Sequence, residues 1–318
     1  MKKLVQPCML FLLALAILPA CHVWETKNCP SPPEDERSPV VFTSKLEVTS
    51  STKVGGDDGN EWAEGDPVGV YMIKHSATLD ASTILCEADN VLYKASKDGT
   101  AVDILPDGDT IYYPVSDMVD FVLYYPYKAG ISNFEYPVDV KDQTNQANLD
   151  LVYVNETKGF SRSNQAAIPV TFNHQLAKME FFIGKGAGIT SLAKLQLSIR
   201  NVAIKTTFSL PTGKLLDTGA GGTDSIDAYV TPYKTDSMKA EAILLPIANL
   251  NATPVTLHFQ LDTLTYEAPL PFESAQTDLK AGTRYRYVVT ISEIGVTFTG
   301  TLSPWTDGRG GIIKPTPP

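Results

Sequence analysis

Four histidines, a glycine-lysine loop and a cluster of tyrosines are the side chains of this 318-residue chain whose types can carry chemistry. Histidine acts as base or metal ligand only where a cavity and a partner hold it. His22, His75 and His258 fall at polar positions, where a solvated ring is expected. His174 shares a face with Val170, Phe172 and Leu176, which points to a hydrogen-bonded histidine in a core or between domains. Ser191 and Lys194 have SxxK spacing without a helix to present them, and no GxSxG elbow occurs. Gly184-Lys-Gly-Ala-Gly188 lacks the GK[ST] ending of a phosphate loop and reads as a hairpin loop. The acidic Gly55–Gly59 stretch lacks EF-hand ligand spacing, and no Cys/His spacing suits zinc. The expectation is a non-enzymatic protein with no metal and no cofactor. An esterase or glycosidase stays open only because carboxylate pairs cannot be placed from sequence. Tyr112, Tyr113, Tyr124, Tyr125 and Tyr127 have two readings, a sugar-stacking platform or strand tyrosines packed at a sandwich edge, and the second is preferred.

The chain start must place whatever follows. Lys2 and Lys3 precede an unbroken apolar run, Met9–Leu18, which is about half the length needed to cross a ~30 Å hydrocarbon core. It reads as the apolar region of a signal peptide, residues 1–20. Leu18-Pro19-Ala20-Cys21 resembles a bacterial lipobox. That resemblance implies that Cys21 is acylated and becomes the first mature residue, since two or three acyl chains hold a protein firmly on a bilayer. An ordinary secretory signal is the other reading. Residues 21–39, with Pro30, Pro32, Pro33 and Pro39 beside Glu34, Asp35 and Glu36, form a stiff solvated spacer. Cys29 and Cys86 are then the cysteines left to pair, a bridge that an oxidising compartment permits.

A net charge of −10 and a pI near 4.9 exclude nucleic acid as a partner, because phosphate repels an acidic surface. Twenty-two glycines, twenty-two prolines and fourteen tyrosines favour strands and turns over helices. Val40–Thr49 is the first strand expected, and Val68–Ile73, Ile111–Val115 and Val119–Tyr125 follow. Later segments alternate strictly: Val255, Leu257, Phe259 and Leu261, then Tyr285, Tyr287, Val289 and Ile291. Period-two alternation places one face in a core and the other in water. The pattern lapses in the Ser-Arg-Ser-Asn-Gln stretch 161–165. The expected organisation is therefore all-β, with two consecutive sandwiches at 40–163 and 164–305 and a tail at 306–318.

The ordered segments Trp62-Ala63-Glu64-Gly65-Asp66, Val68-Gly69-Val70-Tyr71-Met72, Ile111–Val115, Val119-Asp120-Phe121, Tyr124–Tyr127, Val170–Lys178, Leu244-Leu245-Pro246, Ala281–Tyr285 and Trp305 together resemble the Bacteroidota fimbrillin family. Its members are pilins and minor fimbrial subunits of type V pili. The resemblance implies transthyretin-like (immunoglobulin-like) sandwiches and delivery as an outer-membrane lipoprotein, exposed at the surface in a fimbrium. It further implies proteolytic loss of the first strand and assembly with other fimbrial subunits by strand addition. Val40, Val41, Phe42 and Leu46 are then the groove-filling residues of that exchangeable strand. The family places an arginine after this strand; Lys53 stands there and is the candidate processing residue, while Arg37 lies before the strand. The tail after Trp305 is short for a donor strand, which favours a tip, anchor or minor subunit over a stalk pilin. Host or bacterial surface ligands are the further partners expected of an adhesin. The alternative is a surface glycan-binding lipoprotein of a polysaccharide-uptake system.

Overall fold

Seven strands rich in Val, Tyr and Phe close a barrel in the first half of the chain. They are β1 (Phe42–Leu46), β2 (Pro67–Lys74), β3 (Val91–Ala95), β4 (Ala101–Pro106), β5 (Val119–Tyr125), β7 (Val152–Phe160) and β8 (Ile168–His174). The computed structural model describes residues 33–46, 61–163, 166–216, 224–272, 277–304 and 311–313. The strand order around the barrel is β1-β4-β3-β2-β5-β7-β8. All neighbours are antiparallel except β1 and β8, which run parallel. The barrel interior is filled by one face of each strand, including Phe42, Val70, Tyr93, Ile104, Phe121, Val152 and Phe172.

The second half is a sandwich. One sheet orders β13 (Asp224–Asp227), β10 (Leu195–Val202), β16 (Thr256–Leu261) and β17 (Leu264–Pro269). The other orders β14 (Tyr229–Lys234), β15 (Ser237–Leu244), β9 (Ala177–Lys185), β18 (Thr283–Ser292), β19 (Gly295–Pro304) and β20 (Gly311–Ile313). Leu197, Ile199, Leu257 and Phe259 face Met179, Phe181, Tyr287 and Val289 in its core. The alternation legible in these segments is the alternation of their burial.

Barrel and sandwich are joined by more than a linker. β6 (Glu135–Asp139), from the first half, pairs antiparallel with β11 (Lys205–Ser209), which also pairs with β12 (Lys214–Leu216). Tyr71, Ile73, Val122, Tyr124 and Tyr153, on the outer face of the barrel, belong to the same apolar cluster as the sandwich core. This is why β5 is buried at every position: its odd residues fill the barrel, Val122 and Tyr124 face the second unit, and Asp120 is covered by its hydrogen bonds with His75, Ser76 and Gly159. Gly69 serves the same contact, since a Cβ there would come within 2.2 Å of the Tyr124 ring.

The seven strands of the first unit close into a barrel where a sandwich is expected. Ile168–His174, beyond the expected boundary at 163, pairs with β1 and β7 and completes the barrel. Alternation in Val170, Phe172 and His174 identifies a strand with one apolar face, but not which sheet receives it. The polar stretch before it is a connection between neighbouring strands.

Candidate functional site

β1 is held on both edges. Its register runs Phe42↔Ile104, Thr43↔Asp103 and Ser44↔Val102 against β4, and Phe42↔Ile168, Ser44↔Val170 and Leu46↔Phe172 against β8. The hold continues upstream of the strand: the Val40 amide donates to the Ile111 carbonyl at 2.9 Å, and the Tyr113 amide to the Ser38 carbonyl at 3.0 Å. The Thr43 hydroxyl donates to Asp103 Oδ1 at 2.8 Å on the outer face.

The inward residues are Val40, Phe42 and Ser44, each fully buried. Phe42 meets Tyr93 edge-on at 5.8 Å and Phe121 at 5.1 Å between ring centroids. The Tyr93 hydroxyl donates to the Val40 carbonyl at 3.1 Å and accepts from the Ile111 amide at 3.2 Å. Burial raises the Tyr93 hydroxyl well above its ordinary pKa, so it stays a neutral donor. Tyr113, beside Phe121 in the same interior, is pushed up to about 12 by burial.

Ser44 was not among the residues expected from sequence, yet it holds the strand chemically. Its Oγ accepts a 2.8 Å hydrogen bond from Trp62 Nε1. Trp62 is buried and makes T-shaped contacts with Tyr125 and Phe172. The turn that delivers Trp62 is closed by Asp66, whose Oδ2 accepts from the Ala63 amide at 2.8 Å and whose Oδ1 accepts from the Tyr125 hydroxyl at 3.4 Å. Burial raises the Asp66 carboxyl against those hydrogen bonds. Gly65 takes a φ of +86°, where a side chain would strain the turn.

The other predicted site residues fall out as follows. Val41 is half-buried and out of phase with the inward set; its carbonyl accepts from the Ile168 amide at 2.8 Å, so it serves pairing and not packing. Leu46 pairs with Phe172 through the backbone, and its side chain lies outside the described residues. Cys21 and Lys53 lie outside the described residues as well. Cys86 is disulfide-bonded, whereas Cys8, Cys21 and Cys29 are outside the described residues.

The residues whose types could carry chemistry make local contacts. His174 Nδ1 lies 2.7 Å from Asp150 Oδ1 at the barrel's edge. His75 is not simply solvated: its Nδ1 lies 2.7 Å from buried Asp120, which also accepts from the Ser76 and Gly159 amides. Tyr113, Tyr124 and Tyr125 are buried on two different faces, and Tyr112 and Tyr127 are half-buried, so they form no coplanar exposed platform. Ser191 and Lys194 are exposed, with Lys194 on Asp262 at 2.8 Å. Among the described residues, no cluster of His, Cys, Asp and Glu could hold a metal ion.

β1 thus fills one wall of the barrel, held on both edges. A protein of Bacteroides uniformis named as the fimbrium subunit Fim1C is 30% identical over 321 residues, covering 98% of each chain. A crystal structure of a protein named as a cell adhesion protein, also from Bacteroides uniformis, superposes with a TM-score of 0.69 at 27% identity, covering 86% of this chain and all of that one. One from Bacteroides ovatus shares the fold, with a TM-score of 0.62 at 18% identity over 83% of this chain and 96% of the other. The fimbrillin-like family matches residues 52–305, and the chain belongs to that family.

Proposed function

We propose that this chain is a lipid-anchored fimbrial subunit for adhesion, at a tip, anchor or minor position, in which β1 is the strand exchanged on assembly. The observation that carries the reading is the placement of β1: paired on both edges, with Val40 and Phe42 fully buried among barrel residues. Loss of the segment through Lys53 would expose Tyr93, Phe121 and Trp62 and leave facing edges on β4 and β8 unpaired. Such a groove is costly in water and is satisfied by an incoming strand. Cys21 supplies the anchor and Lys53 the processing position in this reading. The buried tyrosines count against the glycan-binding alternative.

The test is a chain that begins after Lys53, expressed with and without a peptide spanning Ser38–Leu46. The expected result is a folded, monodisperse protein only with the peptide. A truncated chain that is monomeric and as stable as the full one would overturn strand exchange. Mass spectrometry of the mature protein from cells, seeking acylated Cys21 and a start after Lys53, separates the anchored form from the processed one.

A further inference from the structure

The barrel seam between β7 and β8 is zipped at one end only. The two strands have nine and seven residues, yet they pair solely at Val152↔His174 and Tyr153↔Asn173. The pairing of β5 with β7 shifts register twice between Val119 and Leu123, irregularities of the kind at which a strand bends. Beyond Tyr153 the strands part around a cleft of about 600 Å³. Tyr153–Thr157 lines one wall, Pro169, Val170, Thr171 and Asn173 line the other, and Gln175, Thr212 and Gly213 close the end.

Both walls present backbone. The Ile168 amide donates to Val41, so Val170 and Phe172 also point their main-chain groups at β1. Strand alternation then turns the carbonyl of Pro169 and both groups of Thr171 toward the cleft. On the opposite wall the Leu151 carbonyl accepts from the Gln175 amide, and the same alternation turns Asn155 inward. Among the described residues Val154 and Thr157 pair with β5 and Ile168–Phe172 with β1, and β7 and β8 make no pair with each other across the cleft beyond Tyr153↔Asn173. Polar Asn155, Glu156, Thr157, Thr171 and Asn173 line the cleft beside Tyr153, Val154, Pro169 and Val170.

We propose that this cleft binds an extended polypeptide segment as an added strand. Main-chain groups of Asn155 on one wall and of Pro169 and Thr171 on the other recognise main chain, which a sugar does not offer. The polar lining selects small polar or β-branched side chains, and Glu156, the charged side chain of the lining, disfavours an acidic segment. Pro169 contributes no donor, which limits pairing of the free edge with unselected chains. The site is distinct from the β1 groove, because β8 separates the two. It is tested with β1 in place, so its failure leaves strand exchange untouched.

The experiment titrates the full mature chain with a fluorescein-labelled decapeptide of alternating Thr and Val, read by anisotropy and by amide hydrogen exchange. The expected result is saturable binding below about 1 mM, with exchange at Asn155 and Thr171 slowed about tenfold. The same peptide N-methylated at alternate residues should bind about tenfold more weakly, a control that requires no folding of a variant. Thr171→Pro should weaken binding similarly, whereas Thr171→Val should leave it unchanged. Binding that survives N-methylation, or that Thr171→Val abolishes, overturns main-chain recognition. So does saturation by maltohexaose in place of the peptide, or slow exchange at both amides before any peptide is added.

Discussion

Replacing Phe42 by alanine tests the central claim about β1, because the ring is the largest inward side chain among the strand's described residues. Deleting a buried phenylalanine costs about 3–5 kcal/mol, with the higher figures where the surroundings cannot collapse. Phe42 lies under no solvent and between two edge-on aromatic partners, Tyr93 and Phe121, each held by its own strand. Each such aromatic contact adds about 0.5–1.5 kcal/mol beyond area. The expected loss is therefore in the upper half of the range, about 4–5 kcal/mol. Urea unfolding, with a slope of about 3 kcal/mol per molar, should then show a midpoint about 1.5 M lower. Val41→Ala, one residue away but facing out, should cost less than about 1 kcal/mol. A Phe42→Ala loss below about 2 kcal/mol, or equal losses at both positions, would refute the inward phase and with it the groove.

Ser44→Ala removes the acceptor for Trp62 Nε1 in a buried site, so about 1–3 kcal/mol should be lost in the same unfolding assay. In the six-stranded sheet, burial pushes Glu180 up, but the charges of Lys178, Lys239 and Arg284 and the Arg286 hydrogen bond outweigh it and bring it down to about 2. A depressed carboxyl stabilises the fold above its ordinary value near 4.5 and loses that contribution as pH falls through its folded value. The stability gap between the native chain and Glu180→Gln should thus shrink by about 3 kcal/mol from neutral pH toward pH 2, measured by unfolding across that range. Cys21→Ala should move the protein from the membrane fraction to the soluble periplasm without changing its melting temperature, as fractionation and a thermal scan would read.

Much of the fold is legible in the chain because alternation reports one wet and one dry face. Leu197, Leu257 and Tyr287 announce the sandwich in this way. β5 does not alternate in burial, and the reason is physical: a second apolar layer covers Val122 and Tyr124, a contact visible only in three dimensions. The barrel boundary is hidden for a related reason, since the parallel pairing of β1 with β8 joins segments more than a hundred residues apart and leaves no local mark. Of the site itself, Phe42 and Val40 are readable as apolar residues in a β-branched run. Ser44 is not: a buried serine looks like a surface one until Trp62 is seen beside it. Val41 errs in the opposite direction, since a single residue of phase separates a packing position from a pairing one.

The position of β1 around the barrel bears on how exchange could proceed. The strands that contact the second unit are β2, β5 and β7, through Tyr71, Val122, Tyr124 and Tyr153. β1 sits among β4 and β8, whose outward residues Asp103, Leu105 and Pro169 are exposed. Among the described residues, no apolar side chain of β1, β4 or β8 contributes to the shared core. A strand leaving this side opens the barrel interior but leaves the joint between the units, including the β6–β11 pairing, in place. In the proposed exchange the barrel would lose and regain one wall while the sandwich and its junction act as a fixed frame. Stability in the exchanged state would then depend on how well the incoming strand refills the space of Val40, Phe42 and Ser44.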